Sequence, residues 1–575
     1  MSKKAILSML TAILLASSVA MTGCGGNTDS ENNGETLDNS VGTSGQESNF
    51  NPVGTFPIVK EKEEITVMTY PTSSIVDMDS FWMTPWYEEK TNVHVNWIVT
   101  PSEQFKEKLQ ISFASEDEFD FVTSSGQAGI PNSESDIARF ASQGFIIPLN
   151  DIIEENNPCM KALLDEHEGF RERITTPDGN IYTFAAYNEC YHCYSPNKMF
   201  FNKTFCENLN LEIPTTTEEF RDVLKQIITN DANQNGEADE IGIVGVASDP
   251  TRLVSTFLMT SFTYDDGGNR LYLEDGKVTA AFVSEEWRNG LRYLKSLYDD
   301  GLIYKESFVQ DAAAAAKVNS QKYENVVAAL PNMHYGTVGT RETGEAVRNI
   351  DYIAIAPLEG PDGTRQAYWN YYSSMGMSGY IPSTSTKAEL VARWVDWFMS
   401  EEGNMVLMNG IEGVGWEQPD EGATGVDGSP ATYKLIVREE GDEYYNAVVW
   451  NQKFPHNNTA VARLGMQSPS DIFAEDGTGA EAAYYTFTRD NYAPYAMPQE
   501  MILPPLFYSE EQIGSIAQYQ TNINTYVNEA IARFIVGEMD IESDWDKYLS
   551  EIDSMDLDGY LAVMQEAYDA SPYVQ

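Results

Sequence analysis

The sequence predicts an α/β protein with more than one packed unit, and three observations carry that reading. Apolar strand-like runs alternate with helical patterns from Glu64 onward, the signature of a largely parallel sheet. The chain has 575 residues, more than one hydrophobic core ordinarily serves. Hydrophobic residues make up 42% and aromatics 12%, enough to fill such cores.

The first strand is Ile65-Thr-Val-Met-Thr-Tyr70, stopped by Pro71. Ser80 to Lys90 reads as a helix carrying Phe81, Trp82, Trp86 and Tyr87. Val93 to Val99 alternates as a second strand. Gln104 to Ala114 places Phe105, Leu109 and Phe113 on one helical face. Phe119 to Val122 is a third strand, ended by Thr123-Ser-Ser-Gly126. Ligands of such sheets sit at the carboxyl ends of strands, which puts Tyr70 to Ser74 and Ser124 to Gln127 at a candidate edge. Further on, Met199 to Lys203 reads as a strand and Thr216 to Thr229 as a helix. The C-terminal part turns helical over Ala388–Ser400, Ser509–Ile535 and Asp544–Tyr568.

Upstream of this body, Lys3 and Lys4 precede an apolar stretch, Ala5 to Met21, too short for a typical membrane-spanning helix. The basic start and small-residue exit read as a secretory signal. Met21-Thr-Gly-Cys24 resembles a bacterial lipobox, which implies acylation of Cys24 at a new N-terminus. Residues 27 to 53 are rich in Gly, Ser, Asn and Thr and read as a flexible tether.

Charge excludes one class of partner. Lys and Arg total 36 against 88 Asp and Glu, a formal charge of -52. Such a surface repels nucleic acid and anionic lipid headgroups. Beyond Cys24, four cysteines remain: Cys159, Cys190, Cys193 and Cys206. They allow three full disulfide pairings. Cys190-x-x-Cys193 around His192 also admits metal or redox chemistry, although zinc ordinarily needs a second ligand pair, which is missing.

The sharpest local motif is Asp231-Ala-Asn233-Gln-Asn235-Gly236-Glu237-Ala-Asp239-Glu240. Oxygen side chains at alternate positions, with Gly at the sixth, wrap a hard cation. Asp231, Asn233, Asn235, Asp239 and Glu240 offer side-chain oxygens and Glu237 its carbonyl, for a structural Ca²⁺. The twelfth position is Gly242, so the usual bidentate Glu is absent and Glu240 is its substitute.

The chain also holds 10 Trp and 32 Tyr. Flat rings with polar neighbours suit the apolar faces and hydroxyl fringe of sugars. Trp369, Tyr371, Tyr187, Trp416, Tyr335 and Tyr70 are the candidate ligand-binding residues, while Trp394, Trp397 and Trp545 read as packing. No catalytic residue is assigned: no Gly-x-Ser-x-Gly elbow, phosphate loop or His-Glu-x-x-His is present. Glu412 and Glu417 beside Trp416 form the carboxylate pair of a rival glycan-hydrolase reading.

Several ordered blocks carry a family resemblance: Ile65-Thr-Val-Met with Trp86-Tyr-Glu-Glu-Lys-Thr91, Gly144-Phe-Ile-Ile-Pro-Leu-Asn-Asp151, and Pro177-Asp-Gly-x-Ile-Tyr182 with Phe201-Asn-Lys203. Gly410-Ile-Glu-Gly-Val-Gly-Trp416, Phe534-Ile-Val-Gly-Glu538 and Trp545-x-x-Tyr548 continue the series. Together the chain resembles the large extracellular solute-binding lipoproteins of ABC transporters, of the alginate- and oligosaccharide-binding kind. The loop at Asp231 resembles the calcium site of the alginate-binding relatives. The resemblance implies a bilobed clamp, like the type II periplasmic binding proteins, with two α/β lobes, a hinge and helical C-terminal additions. It implies an oligosaccharide held between the lobes, delivery to a membrane permease, a monomer, and a lipid anchor as the sole membrane attachment. Crossings between lobes are expected near Phe184–Asn202 and Tyr372–Pro382. The expected divisions are 1–23 signal, 24–60 tether, 61–190 N-lobe, 191–372 C-lobe, 373–420 N-lobe return and 421–575 C-lobe completion. A non-transport binding or sensing lipoprotein is a further rival.

Overall fold

Strand β1 (Glu63–Thr69) keeps Ile65, Val67 and Met68 fully buried, because it is the central strand of a parallel sheet whose faces are covered by packed elements of the first core. Those neighbours are β2 (Val93–Val99) and β3 (Phe121–Val122), in the order β2-β1-β3. In this computed structural model the described residues are 48–70, 77–123, 131, 133–320, 325–334, 351–436, 454–472 and 479–574. Residues Asn49–Gln575 make one compact unit. The signal sequence and Cys24 lie outside the described residues.

Helices Met83–Thr91 and Ser102–Ala114 supply the crossovers of the first sheet and bury Tyr87, Phe105 and Leu109. The chain then leaves this core through β4 (Ala185–Asn188) and enters a second one at β5 (Lys198–Asn202). With β6 (Ile241–Ile243), β7 (Val327–Asn332) and β8 (Tyr352–Ile355) it forms a mixed sheet in the order β8-β5-β7-β6. Strand β5 runs antiparallel to β7 and β8, and β6 parallel to β7. Strand β9 (Met375–Met377) returns to the first core and pairs antiparallel with β4; β10 (Asn457–Asn458) pairs with β4 from the other side. The C-terminal helices pack Phe534, Tyr548 and Tyr560 into the second core. Among the described residues no helix is long and apolar enough to cross a membrane.

Two apolar cores result. One holds buried residues from Ile58 to Tyr187 and from Met377 to Phe454, the other from Met199 to Trp369 and from Ala483 to Ala567. The chain therefore passes between them three times. These passages bond to one another: Asn188 N–H donates to Ser374 O (2.8 Å), Asn370 N–H to Tyr194 O (2.6 Å) and Glu189 N–H to Asn458 O (2.9 Å).

Three expectations need correction. The tether does not extend to residue 60. Phe50 bridges Val59, Asn51 N–H donates to Ile58 O at 2.9 Å, and Ile58 and Val59 are buried in the first core, because these two apolar side chains gain by burial there. The return to the first core does not end at 420, since Phe454 is buried in it and β10 extends its sheet with β4. The single helix expected over Asp544–Tyr568 is two, Trp545–Ser554 and Leu557–Asp569. Asp556 breaks it: its backbone is left-handed, φ 65°, and its carboxylate accepts the Gly559 N–H as a new N-cap.

Candidate functional site

A cavity of about 460 Å³ is walled by both cores. The first core contributes Lys106, one turn into the helix that follows β2, and, from the helix Glu134–Ser142 that follows β3, its N-cap Ser133, Asp136 in the first turn and Arg139 in the last. These residues lie near the carboxyl edge of the first sheet, where strand-to-helix turns gather. The second core contributes Tyr264, Asp266, Asn269, Tyr368, Asn370, Tyr372 and Tyr508. The lining thus combines four phenol rings with amides, carboxylates and two cations.

Local chemistry holds these groups in place. Arg139 pairs with Asp136 at 2.5 Å, and Lys106 reaches the same carboxylate at 3.9 Å. Tyr264 meets Tyr368 edge to face, centroids 6.0 Å apart at 90°. Asp266 accepts backbone N–H bonds from Gly268 (2.8 Å) and Arg270 (3.0 Å). Burial raises the Asp266 carboxyl above the usual range, while the Arg270 charge pulls the other way. Burial, and then the Asp266 charge, lift the Tyr264 phenol far up, so it stays a neutral donor.

The six residues expected to bind ligand do not converge. The segment Tyr368–Tyr372 turns Tyr368, Asn370 and Tyr372 to the cavity, while Trp369 stacks on Tyr194, centroids 5.7 Å and planes 6° apart. Trp369 is only 8% exposed and part of the second core. Tyr371 donates its hydroxyl to Met497 O at 2.9 Å. Tyr187 is a correction: its ring is buried in the first core, stacked 3.8 Å from His167, with its hydroxyl on Glu189 at 3.0 Å. It sits on β4, where His167 and Phe170 (centroids 5.7 Å away) pack on its ring, so it presents no platform. Trp416 donates Nε1–H to Gly410 O at 3.0 Å and lines a separate cavity with Asn404, Tyr433 and Asn457. Tyr70, half-buried at the end of β1, packs edge-on against Phe105 at 6.2 Å. Tyr335 lies outside the described residues.

Sequence reasoning missed Lys106, Asp136, Arg139, Tyr264, Asp266 and Tyr508. The turn Tyr264-Asp-Asp-Gly-Gly was the available signal, an aromatic beside acidic and glycine residues.

The loop at Asp231 curls as an oxygen-rich turn. Asp231 accepts the N–H groups of Asn235 and Gly236, each at 2.9 Å. Asn233 Oδ1 accepts Asn235 N–H at 3.0 Å, and Asn235 Oδ1 accepts Glu237 N–H at 2.8 Å. Gly236 has φ +90°, which explains glycine there. Both Asn233 and Asn235 amides donate to Asp239 Oδ1, at 3.5 and 3.2 Å, so these side chains meet. Glu240 is 8% exposed; its Oε1 accepts Asn233 N–H at 2.8 Å and its Oε2 is buried with no hydrogen bond. Burial pushes the Glu240 carboxyl up. An unbonded buried carboxylate oxygen among other oxygens fits a hard cation.

Cys190 and Cys193 form a disulfide around His192, in the first passage between cores; Cys159 and Cys206 are free thiols. Burial raises the Cys159 thiol to about 12 and Cys206 to about 11, so both are inert at neutral pH.

Comparison with known proteins places the chain. It is 27% identical over 536 residues to the fructooligosaccharide ABC transporter substrate-binding protein FusA of Streptococcus pneumoniae, covering 90% of this chain and 91% of that one. The structure of S. pneumoniae FusA in complex with kestose superposes with a TM-score of 0.72 at 23% identity, covering 88% of this chain and 99% of that one. An EF-hand mutant of FusA with fructo-nystose gives 0.71 at 22% identity over the same shares of each chain. These likenesses identify the fold as the bilobed α/β clamp, and the family model for bacterial extracellular solute-binding proteins matches residues 72–405. With both lobes, the cavity between them and more than half of its length accounted for, the chain belongs to the bacterial extracellular solute-binding proteins.

Proposed function

We propose that this protein captures an oligosaccharide in the cavity between its lobes and releases it unchanged to an ABC importer. The observation that carries the reading is the lining: Tyr264, Tyr368, Tyr372 and Tyr508 for apolar sugar faces, with Asn269, Asn370, Asp136 and Arg139 for hydroxyls. FusA, named for fructooligosaccharides, supports the ligand class. Closed-state contacts with ligand bias an existing open–closed equilibrium. Tyr70, at the exit of β1, extends the same edge and is the candidate contact for a longer chain.

The lipobox at Cys24 supports a lipid anchor on the outer face of the membrane. The loop of Asp231, Asn233, Asn235, Glu237, Asp239 and Glu240 supports a structural Ca²⁺, and a FusA EF-hand mutant supports the same assignment. When bound, the ion supplies charge that compensates the buried Glu240 carboxylate and pins the loop after the helix Thr217–Thr229.

The test is calorimetric titration with kestose and a panel of neutral and acidic oligosaccharides, with the sugar recovered afterwards. Saturable binding with intact sugar supports the reading. No binding across the panel, or cleavage of a bound sugar, sinks it.

A further inference from the structure

Both cations on the wall of the cavity between the lobes share one carboxylate. Asp136 Oδ1 accepts Arg139 Nη2–H at 2.5 Å and lies 3.9 Å from Lys106 Nζ. Asp136 Oδ2 accepts the Ser133 hydroxyl at 2.8 Å, which fixes the carboxylate in the first turn of its helix. All three charged groups reach the solvent of the cavity: the Asp136 side chain is 16% exposed, Arg139 32% and Lys106 61%.

The other charges on the lining are acidic. Glu134, on the same helix as Asp136, is held by Arg173 Nη2 at 2.5 Å. Asp266 stands half-buried on the wall of the second core, where its Oδ1 accepts the Gly268 and Arg270 N–H groups. The Arg270 side chain is fully buried, pairs with Asp265 at 3.2 Å and is not part of the lining. Among the described residues, the lining therefore carries three carboxylates against two cations, and the two cations are paired already.

A carboxylate that leaves water for such a cavity needs a free cation in exchange. Here it meets cations whose charge is spent on Asp136, and it adds to an excess of negative charge, which is unfavourable. The hydroxyls of an uncharged sugar need no cation. Asn269, Asn370 and the remaining lone pairs of Asp136 serve them.

We infer that Asp136 is a specificity-determining residue: by holding Arg139 and Lys106 it makes the cavity select uncharged oligosaccharides over those that carry a carboxylate. This selection rests on the oligosaccharide reading of the same cavity and names the charge class of its ligand. Selectivity is a difference of two affinities, and Asp136 sets it by penalising the acidic ligand.

The test uses the mature chain, with two kinds of probe in calorimetric titrations at low salt. One is kestose, or the uncharged sugar of the panel that binds in its place. The other is the set of monocarboxylates made by oxidising each primary alcohol of that sugar. In wild type every acid is expected to bind about tenfold more weakly than its parent, or worse. In Asp136→Asn, which keeps an acceptor for Ser133 and leaves both cations unpaired, at least one acid is expected to gain about tenfold relative to the parent. Salt at about 0.5 M is expected to narrow the gap in wild type, because it screens the repulsion. An acid that binds wild type as tightly as its parent overturns the proposal. So does a gap that Asp136→Asn leaves unmoved for every acid, or, should that variant fail to fold, a gap that salt leaves unmoved. Absence of binding by every sugar, charged or not, is the separate failure of the oligosaccharide reading and takes the selection with it.

Discussion

The Trp369 ring lies parallel to that of Tyr194, planes 6° apart, and joins two of the three passages between the lobes. Tyr191 closes the group, edge-on to Trp369 at 6.1 Å. Trp369→Ala removes this packing and is expected to cost about 3–5 kcal/mol of stability. Chemical denaturation checks it; a loss below about 1 kcal/mol shows that the ring does not hold the passages together.

In the cavity, Tyr372 and Tyr508 offer ring faces from different parts of the second core. Tyr508→Ala and Tyr372→Ala are each expected to weaken oligosaccharide binding about tenfold, equivalent to ~1.4 kcal/mol. Titration against wild type decides; unchanged affinity in both places the sugar elsewhere.

Removal of calcium is expected to lower Tm. At free Ca²⁺ one hundred times its Kd the ion contributes about 2.7 kcal/mol, which chelation removes. Asp231→Ala, which also deletes the acceptor of the Asn235 and Gly236 N–H groups, is expected to abolish the calcium response. Identical melting of wild type with Ca²⁺ and with chelator refutes a site at this loop.

His456 sets an acid limit on stability. Burial first, and then the Arg463 charge, depress its pKa from 6.5 to about 4. The unfolded chain therefore binds more protons than the folded one between those values, and stability falls as pH drops from 6.5 to 4. The effect is about 3 kcal/mol over that window. His456→Gln is expected to flatten this limb in urea melts at stepped pH; a slope equal to wild type argues against a neutral buried imidazole.

The first sheet was legible because its signals are local: alternating Val93–Val99 and the Phe105, Leu109, Phe113 stripe depend on neighbours in sequence. The Asp231 loop was legible for the same reason, since all its oxygens fall within ten residues. The cavity lining was not. Lys106 and Tyr508 lie four hundred residues apart, on opposite walls, and only folding brings them to one cavity. Trp369 looked like a platform from its irregular, aromatic surroundings, yet one step along the chain decides which side a ring faces. Tyr187 was hidden by His167 and Phe170, which fold back onto its ring from a separate segment, a contact that no local run of residues announces.

Asn188, Tyr194 and Glu189 tie the three passages to one another through main-chain bonds. A single linker would let the lobes swivel freely about many axes. Strands laced side by side resist twisting and shear, and leave bending across their shared ribbon as the soft direction. On the proposed reading the lobes would open and shut like a book on its spine, and a permease docked on both covers would have one angle to read.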